Sequence, residues 1–252
     1  MAFVDVAGAR IEFERIEGGR RPTIVLLHEG LGSVAMWRDF PAEVARATGH
    51  DVLAYSRRGY GRSSPLRAAR PVRFMHDEAL VVLPRLLDAL AVERPVLLGH
   101  SDGASIAIVH AGASARAVAG LVLLAPHVMV EEVTVASIAA ARRAYETSDL
   151  RARLSRYHDD VDGAFRGWND VWLAPEFRAW NVEEYLPAIT CPVLAIQGDR
   201  DEYGTMDQID RIARGAHGVE VLAVPGAGHS LHRDCPQEVL EAVNRFVARV
   251  RP

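Results

Sequence analysis

Short apolar runs of β character recur along the chain, with amphipathic segments between them. They fall at residues 23–27, 52–55, 96–98, 121–124, 193–196 and 219–224. Near-continuous apolarity over a few residues is what a strand covered on both faces requires. Strands of that kind alternating with helices predict an α/β fold, a mostly parallel central sheet flanked by helices. Residues 237–250 place Val239, Leu240, Val243, Phe246, Val247 and Val250 at the spacing of an amphipathic terminal helix. Residues 79–90 also show helical spacing, and Pro84 within them predicts a kink or a helix start.

The alternation of strand and helix stops between His127 and Pro187. This stretch reads as helical and holds three of the four tryptophans, Trp168, Trp172 and Trp180. It predicts a helical insertion, a lid, at residues 127–187, set into a core domain formed by residues 1–126 and 188–252. The tryptophans either pack the insertion onto the core or, as a group, form part of an apolar wall facing a substrate.

Bulk composition narrows the function. The chain has 252 residues, 49% hydrophobic and 25% charged, enough for a sizeable core. A net charge of -4 gives no reason to expect nucleic acid or an anionic membrane as a partner. The basic residues other than histidine are all arginine, which excludes lysine nucleophiles and Schiff bases; with many alanines, this is also the composition of a GC-rich bacterial genome. Cys191 and Cys235 stand in no Cys-x-x-Cys pair, and Cys191 heads an apolar run as a small buried residue would. The first residues lack a basic stretch followed by an apolar one, and no apolar run approaches the roughly 18 residues of a membrane span. A soluble, cytoplasmic protein is expected, monomer or homodimer, acting on a small molecule.

The chemistry centres on Gly99-His100-Ser101-Asp102-Gly103. An apolar run precedes it and a helix-like stretch follows, the context of a strand–turn–helix elbow that presents a strained serine. Ser101 is therefore the candidate nucleophile. A serine hydroxyl needs a base, and the base needs an orienting carboxylate. Gln197-Gly198-Asp199-Arg200-Asp201-Glu202 follows one late strand, and Pro225-Gly226-Ala227-Gly228-His229 follows the next. Both loops leave the same edge of the sheet as Ser101. His229 is the candidate base; the carboxylate is left open among Asp199, Asp201 and Glu202.

These segments in this order resemble the α/β-hydrolase superfamily, over residues of about 23 to 246. The resemblance implies the α/β-hydrolase fold and no cofactor, and places the usual Gly-x-x-Asp signal on Gly198 and Asp201. It implies two oxyanion donors, the N–H of Asp102 and one from Leu27-His28-Glu29-Gly30-Leu31-Gly32-Ser33. The superfamily usually has His-Gly-x-x-Gly there. Aligned on His28, Glu29 replaces the first glycine and the donor falls on Gly30, with Leu31 the alternative. Glu29 either ion-pairs with an arginine or reads a cationic or hydroxylated part of the substrate. The Asp102 side chain is expected to cap the helix that starts there. In Tyr55-Ser56-Arg57-Arg58-Gly59-Tyr60-Gly61-Arg62-Ser63, Ser56 stands where the superfamily's acid usually sits, bracing a turn. His127, where a strand runs into the lid, lines the pocket or hydrogen-bonds the lid. Glu29, Leu31, His127, Trp168 and Trp172 are thus the candidate substrate contacts.

The expected activity is cleavage of a small ester or lactone through an acyl-enzyme. Carbon–carbon bonds of vinylogous diketones, thioesters and small amides use the same intermediate. Haloalkane dehalogenase and epoxide hydrolase chemistry is disfavoured, because Ser101 stands where those relatives have Asp. No His-Glu-x-x-His helix suggests a metal. The alternative of another class is a small-molecule receptor on the same fold.

Overall fold

The structure is a computed structural model, and it describes residues 2–250. Met1, Arg251 and Pro252, at the outer ends of the expected core domain, lie outside the described residues. Eight strands form one sheet: β1 (Ala2–Val6), β2 (Ala9–Ile16), β3 (Arg20–Leu27), β4 (His50–Tyr55), β5 (Val96–His100), β6 (Gly120–Leu124), β7 (Val193–Gly198) and β8 (Val219–Val224). Their order is β1-β2-β4-β3-β5-β6-β7-β8. β2 runs antiparallel to β1 and β4, and the remaining pairs are parallel.

The helices are α1 (Phe40–Thr48), α2 (Phe74–Asp77), α3 (Leu83–Ala89), α4 (Asp102–Ala113), α5 (Glu132–Thr147), α6 (Leu150–Leu154), α7 (Val161–Leu173), α8 (Asp207–Gly215), α9 (Leu231–Asp234) and α10 (Pro236–Val247). Side chains of a strand alternate between its faces, so a strand apolar throughout feeds two cores. Val25, Leu27, Leu97 and Leu121 face one core with Leu83, Leu86 and Ile106 of α3 and α4. Ile24, Leu26, Val96, Leu98 and Val122 face the other, with Phe40 and Val44 of α1 and Val239, Val243 and Phe246 of α10. Each such side chain, fully buried, contributes about 1.5–3 kcal/mol.

Two elements depart from the apolar-run reading. The β1–β2 ribbon is absent from the six expected strands, because Arg10-Ile11-Glu12-Phe13-Glu14 alternates instead of running apolar. A ribbon at the edge of the sheet needs only alternation, and here even one polar position, Glu12, is buried. Around Pro84, a π-helical turn, Glu78–Val82, joins α2 to α3, and Pro84 lies in the first turn of α3. The wider turn fits a residue that offers no N–H to the helix ladder.

Between β6 and β7 the chain forms α5, α6 and α7 and two 3-10 stretches, Pro175–Ala179 and Glu183–Ala188. α7 begins on an Asp160 cap, whose Oδ1 accepts the Gly163 N–H at 2.9 Å. It buries Phe165, Trp168, Val171 and Trp172 along one face.

Candidate active site

Ser101 sits between β5 and α4 at φ 54°, ψ -120°. A side chain pays a steric cost in this left-handed region, and such strain persists only where the surroundings enforce it. Here the Ser101 N–H donates to Leu124 O at 2.9 Å, and Ser101 O accepts the Ala104 N–H at 2.8 Å. A Cβ at Gly103 would run into the carbonyl of Leu27 and lie 2.8 Å from His28 O. Only glycine lets the loop after β3 come this close to the elbow.

β7 and β8 deliver the other two groups. Both carboxylate oxygens of Asp201 lie 2.9 Å from His229 Nδ1. Asp201 also accepts the N–H of Tyr203 at 2.7 Å and an amide N–H of Gln197 at 2.7 Å. Burial pushes the Asp201 carboxyl up, but His229 and the Tyr203 N–H outweigh it and hold it below the usual carboxylate range. With Nδ1 donating to Asp201, Nε2 of His229 is left as the basic nitrogen. Of the other acids in this loop, Asp199 accepts the Gly226 N–H at 2.7 Å, and Glu202 accepts the His229 main-chain N–H at 3.2 Å.

In the loop after β3 the Gly32 N–H closes a turn onto Glu29 O at 3.0 Å. In the sequence Arg57 is only part of a turn, and the structure gives it a larger part. Its guanidinium is 1% exposed and donates to the carbonyls of His28 and, at 3.0 Å, Glu29. Its main-chain N–H donates to His28 Nε2 at 3.0 Å. A buried cation thus pins the main chain on either side of the Glu29 side chain. Ser56, which stands in place of the usual acid, is itself bonded to an acid, Glu12 of β2: Ser56 Oγ donates to Glu12 Oε2 at 2.8 Å and accepts the Val34 N–H at 2.9 Å.

The Asp102 side chain corrects an expectation. It makes no capping bond to α4 and instead accepts from Trp172 Nε1 at 3.1 Å, with Arg57 at 4.0 Å from its other oxygen. Trp172 belongs to α7, so the tertiary bond replaces the local one. Burial raises the Asp102 carboxyl, partly offset by Arg57 and Trp172. Its main-chain N–H is the first of α4 and has no partner within the helix.

Glu29 lies with one oxygen 3.8 Å from Arg233 and the other 3.6 Å from His100 Nδ1. Burial opposes its charge, yet His100, His232 and His28 hold it well below the usual range. The indole of Trp168 occupies the space that a Cβ at Gly30 would need. Leu31 is half-buried, and its carbonyl accepts from His158 Nε2 at 2.9 Å. His127 packs edge-on to Trp172 at 5.4 Å and 5.7 Å from the His229 ring; burial pulls its pKa down to about 3. Among the described residues no cluster of three or more His, Cys, Asp or Glu could hold a metal ion, and no helix is long and apolar enough to cross a membrane.

A model of the alpha/beta hydrolase family matches residues 24–242. N-formylmaleamate deformylase of Pseudomonas putida is 26% identical over 92% of this chain and 90% of its own length. A serine hydrolase of Mus musculus, BPHL, is 24% identical over 98% of this chain and 86% of its own. The enol-lactonase of Burkholderia xenovorans superposes with a TM-score of 0.78 at 21% identity, covering 98% of this chain and all of that one. That last likeness is one of fold.

Proposed function

Since the chain belongs to the alpha/beta hydrolase family, we propose that it is a serine hydrolase that cleaves a small ester or lactone through Ser101, His229 and Asp201. The observation that carries this reading is the Asp201–His229 couple, 2.9 Å from both oxygens, together with a serine held at φ 54° in the elbow after β5. Ser101 Oγ attacks the carbonyl carbon and His229 Nε2 takes its proton. The tetrahedral intermediate collapses, His229 returns the proton to the leaving oxygen, and an acyl group remains on Ser101. A water, deprotonated by His229, then releases the acid and regenerates Ser101. Asp201 keeps the proton on Nδ1 and stabilises the imidazolium. The N–H groups of Gly30 and Asp102 receive the developing oxyanion, and one such donor is worth about 10²–10³ in rate.

Residues 127–187 act in this reading as a lid, with Leu31, His127 and Trp168 beside the acyl group and Trp172 bracing Asp102. The same acyl-enzyme serves small amides. The deformylase relative, named for an N-formyl compound, favours this as the second reading.

Reaction with an alkyl fluorophosphonate probe tests the assignment without knowledge of the substrate. One adduct is expected, on Ser101 by peptide mass spectrometry, absent in Ser101→Ala and in His229→Ala. A folded protein that takes no label overturns the reading and leaves a binding protein on this fold.

A further inference from the structure

The main chain of His229 is held from both sides. Its N–H donates to Glu202 Oε2 at 3.2 Å, and its carbonyl oxygen lies 2.9 Å from His100 Nε2. A carbonyl oxygen only accepts, so Nε2 of His100 is the donor. The other ring nitrogen of His100 faces Glu29 Oε2 at 3.6 Å, and the ring is 1% exposed. On its far side Glu29 faces Arg233 at 3.8 Å, whose guanidinium also donates to Met36 O at 2.9 Å. The acid faces two further segments from the loop after β3: the residue before Ser101, and α9, which follows the loop that carries His229.

We propose that Glu29 and His100 form a second carboxylate–histidine couple, which positions His229 through its main-chain carbonyl. This rests on the reading of His229 as general base. A carboxylate attracts the imidazole nitrogen it faces when that nitrogen carries a proton; with N–H on both nitrogens the His100 ring is held by charge at 3.6 Å, and its Nε2 donor is strengthened. The ring of His100 is otherwise bounded by other rings, Trp37 at 6.3 Å, His232 at 5.0 Å and that of His229 itself at 5.0 Å, which pack against it without fixing a rotamer by hydrogen bonding. Glu29 stands where the resemblance leads one to expect glycine, and its carboxylate faces His100 and Arg233.

The rate of Ser101 labelling by an uncharged alkyl fluorophosphonate reads this couple, with thermal denaturation as the control for folding. His100→Gln keeps an N–H donor at the position of Nε2 and is expected to label within about threefold of wild type. His100→Leu removes the donor and is expected to label at least 30-fold more slowly. Glu29→Gln is expected to label about tenfold more slowly. The double variant Glu29→Gln/His100→Gln is expected to match His100→Gln alone, because the carboxylate then has no ring to orient. A His100→Gln as slow as a folded His100→Leu overturns the proposal, since bulk and not the donor would matter. So does a Glu29→Gln that labels like wild type, the result for a residue that only reads substrate. Should His100→Leu not fold, the Glu29→Gln, His100→Gln and double-variant rates decide alone. Failure of the wild type itself to label counts against the serine-hydrolase reading instead.

Discussion

Trp172 donates its indole N–H to Asp102 Oδ1 at 3.1 Å, so a side chain of α7 is bonded to the residue that follows Ser101. Trp172→Phe keeps most of the ring and removes the donor. Asp102 is buried, and losing a partner there costs about 1–3 kcal/mol. For a chain of this size that is a Tm lower by roughly 2–12 °C. An unchanged Tm in calorimetry would mean that the bond adds nothing to stability.

Asp201 and Asp199 are two residues apart, yet only Asp201 meets the His229 ring. Asp201→Asn permits the wrong tautomer of His229 and is expected to slow turnover or probe labelling by ~10³–10⁴-fold. Asp199→Asn keeps an oxygen for the Gly226 N–H and is expected to stay within about threefold. The reverse ranking in labelling rates would move the carboxylate of the triad.

Gly30 and Trp168 leave each other no room for a Cβ. Gly30→Ala is expected to displace the indole, seen as a change in tryptophan fluorescence, and to slow labelling by at least tenfold. In a Trp168→Ala background the same substitution is expected to cost much less, because the obstacle is gone. Equal losses in both backgrounds would show that Trp168 is not what Gly30 makes room for.

His232 is buried against Trp37 and Phe40 with neither ring nitrogen bonded, and burial pulls its pKa down from 6.5 to about 3. Between those values the unfolded chain binds a proton that the folded one does not. Stability from this group is therefore present above pH 6.5 and lost as pH falls toward 3, by up to about 1.4 kcal/mol per pH unit. His127, with the same direction and cause, adds to the slope. His232→Phe is expected to flatten the fall in Tm between pH 7 and 4, measured by calorimetry across that range. An unaltered slope would place the acid sensitivity elsewhere.

What the sequence determined by itself were features carried by neighbours in the chain. Apolar runs such as 96–98 and 193–196 must be covered on both faces, so they marked the central strands; the pentapeptide around Ser101 marked the elbow that joins one of them to α4. The order of the serine, acid and histidine loops carried the resemblance to the alpha/beta hydrolase family to which the chain belongs. The β1–β2 ribbon was there to be read as alternation, a weaker signal than an apolar run. Only the tertiary structure decided where charged side chains turn. Asp102 is 70 residues from Trp172, Arg57 is 29 from His28, and His100 is 129 from His229, measured along the chain. Local spacing favours a helix cap for Asp102, but once buried, its Oδ1 takes the donor that the fold brings near, Trp172, and its Oδ2 faces only the charge of Arg57; that is a property of packing and not of sequence neighbours.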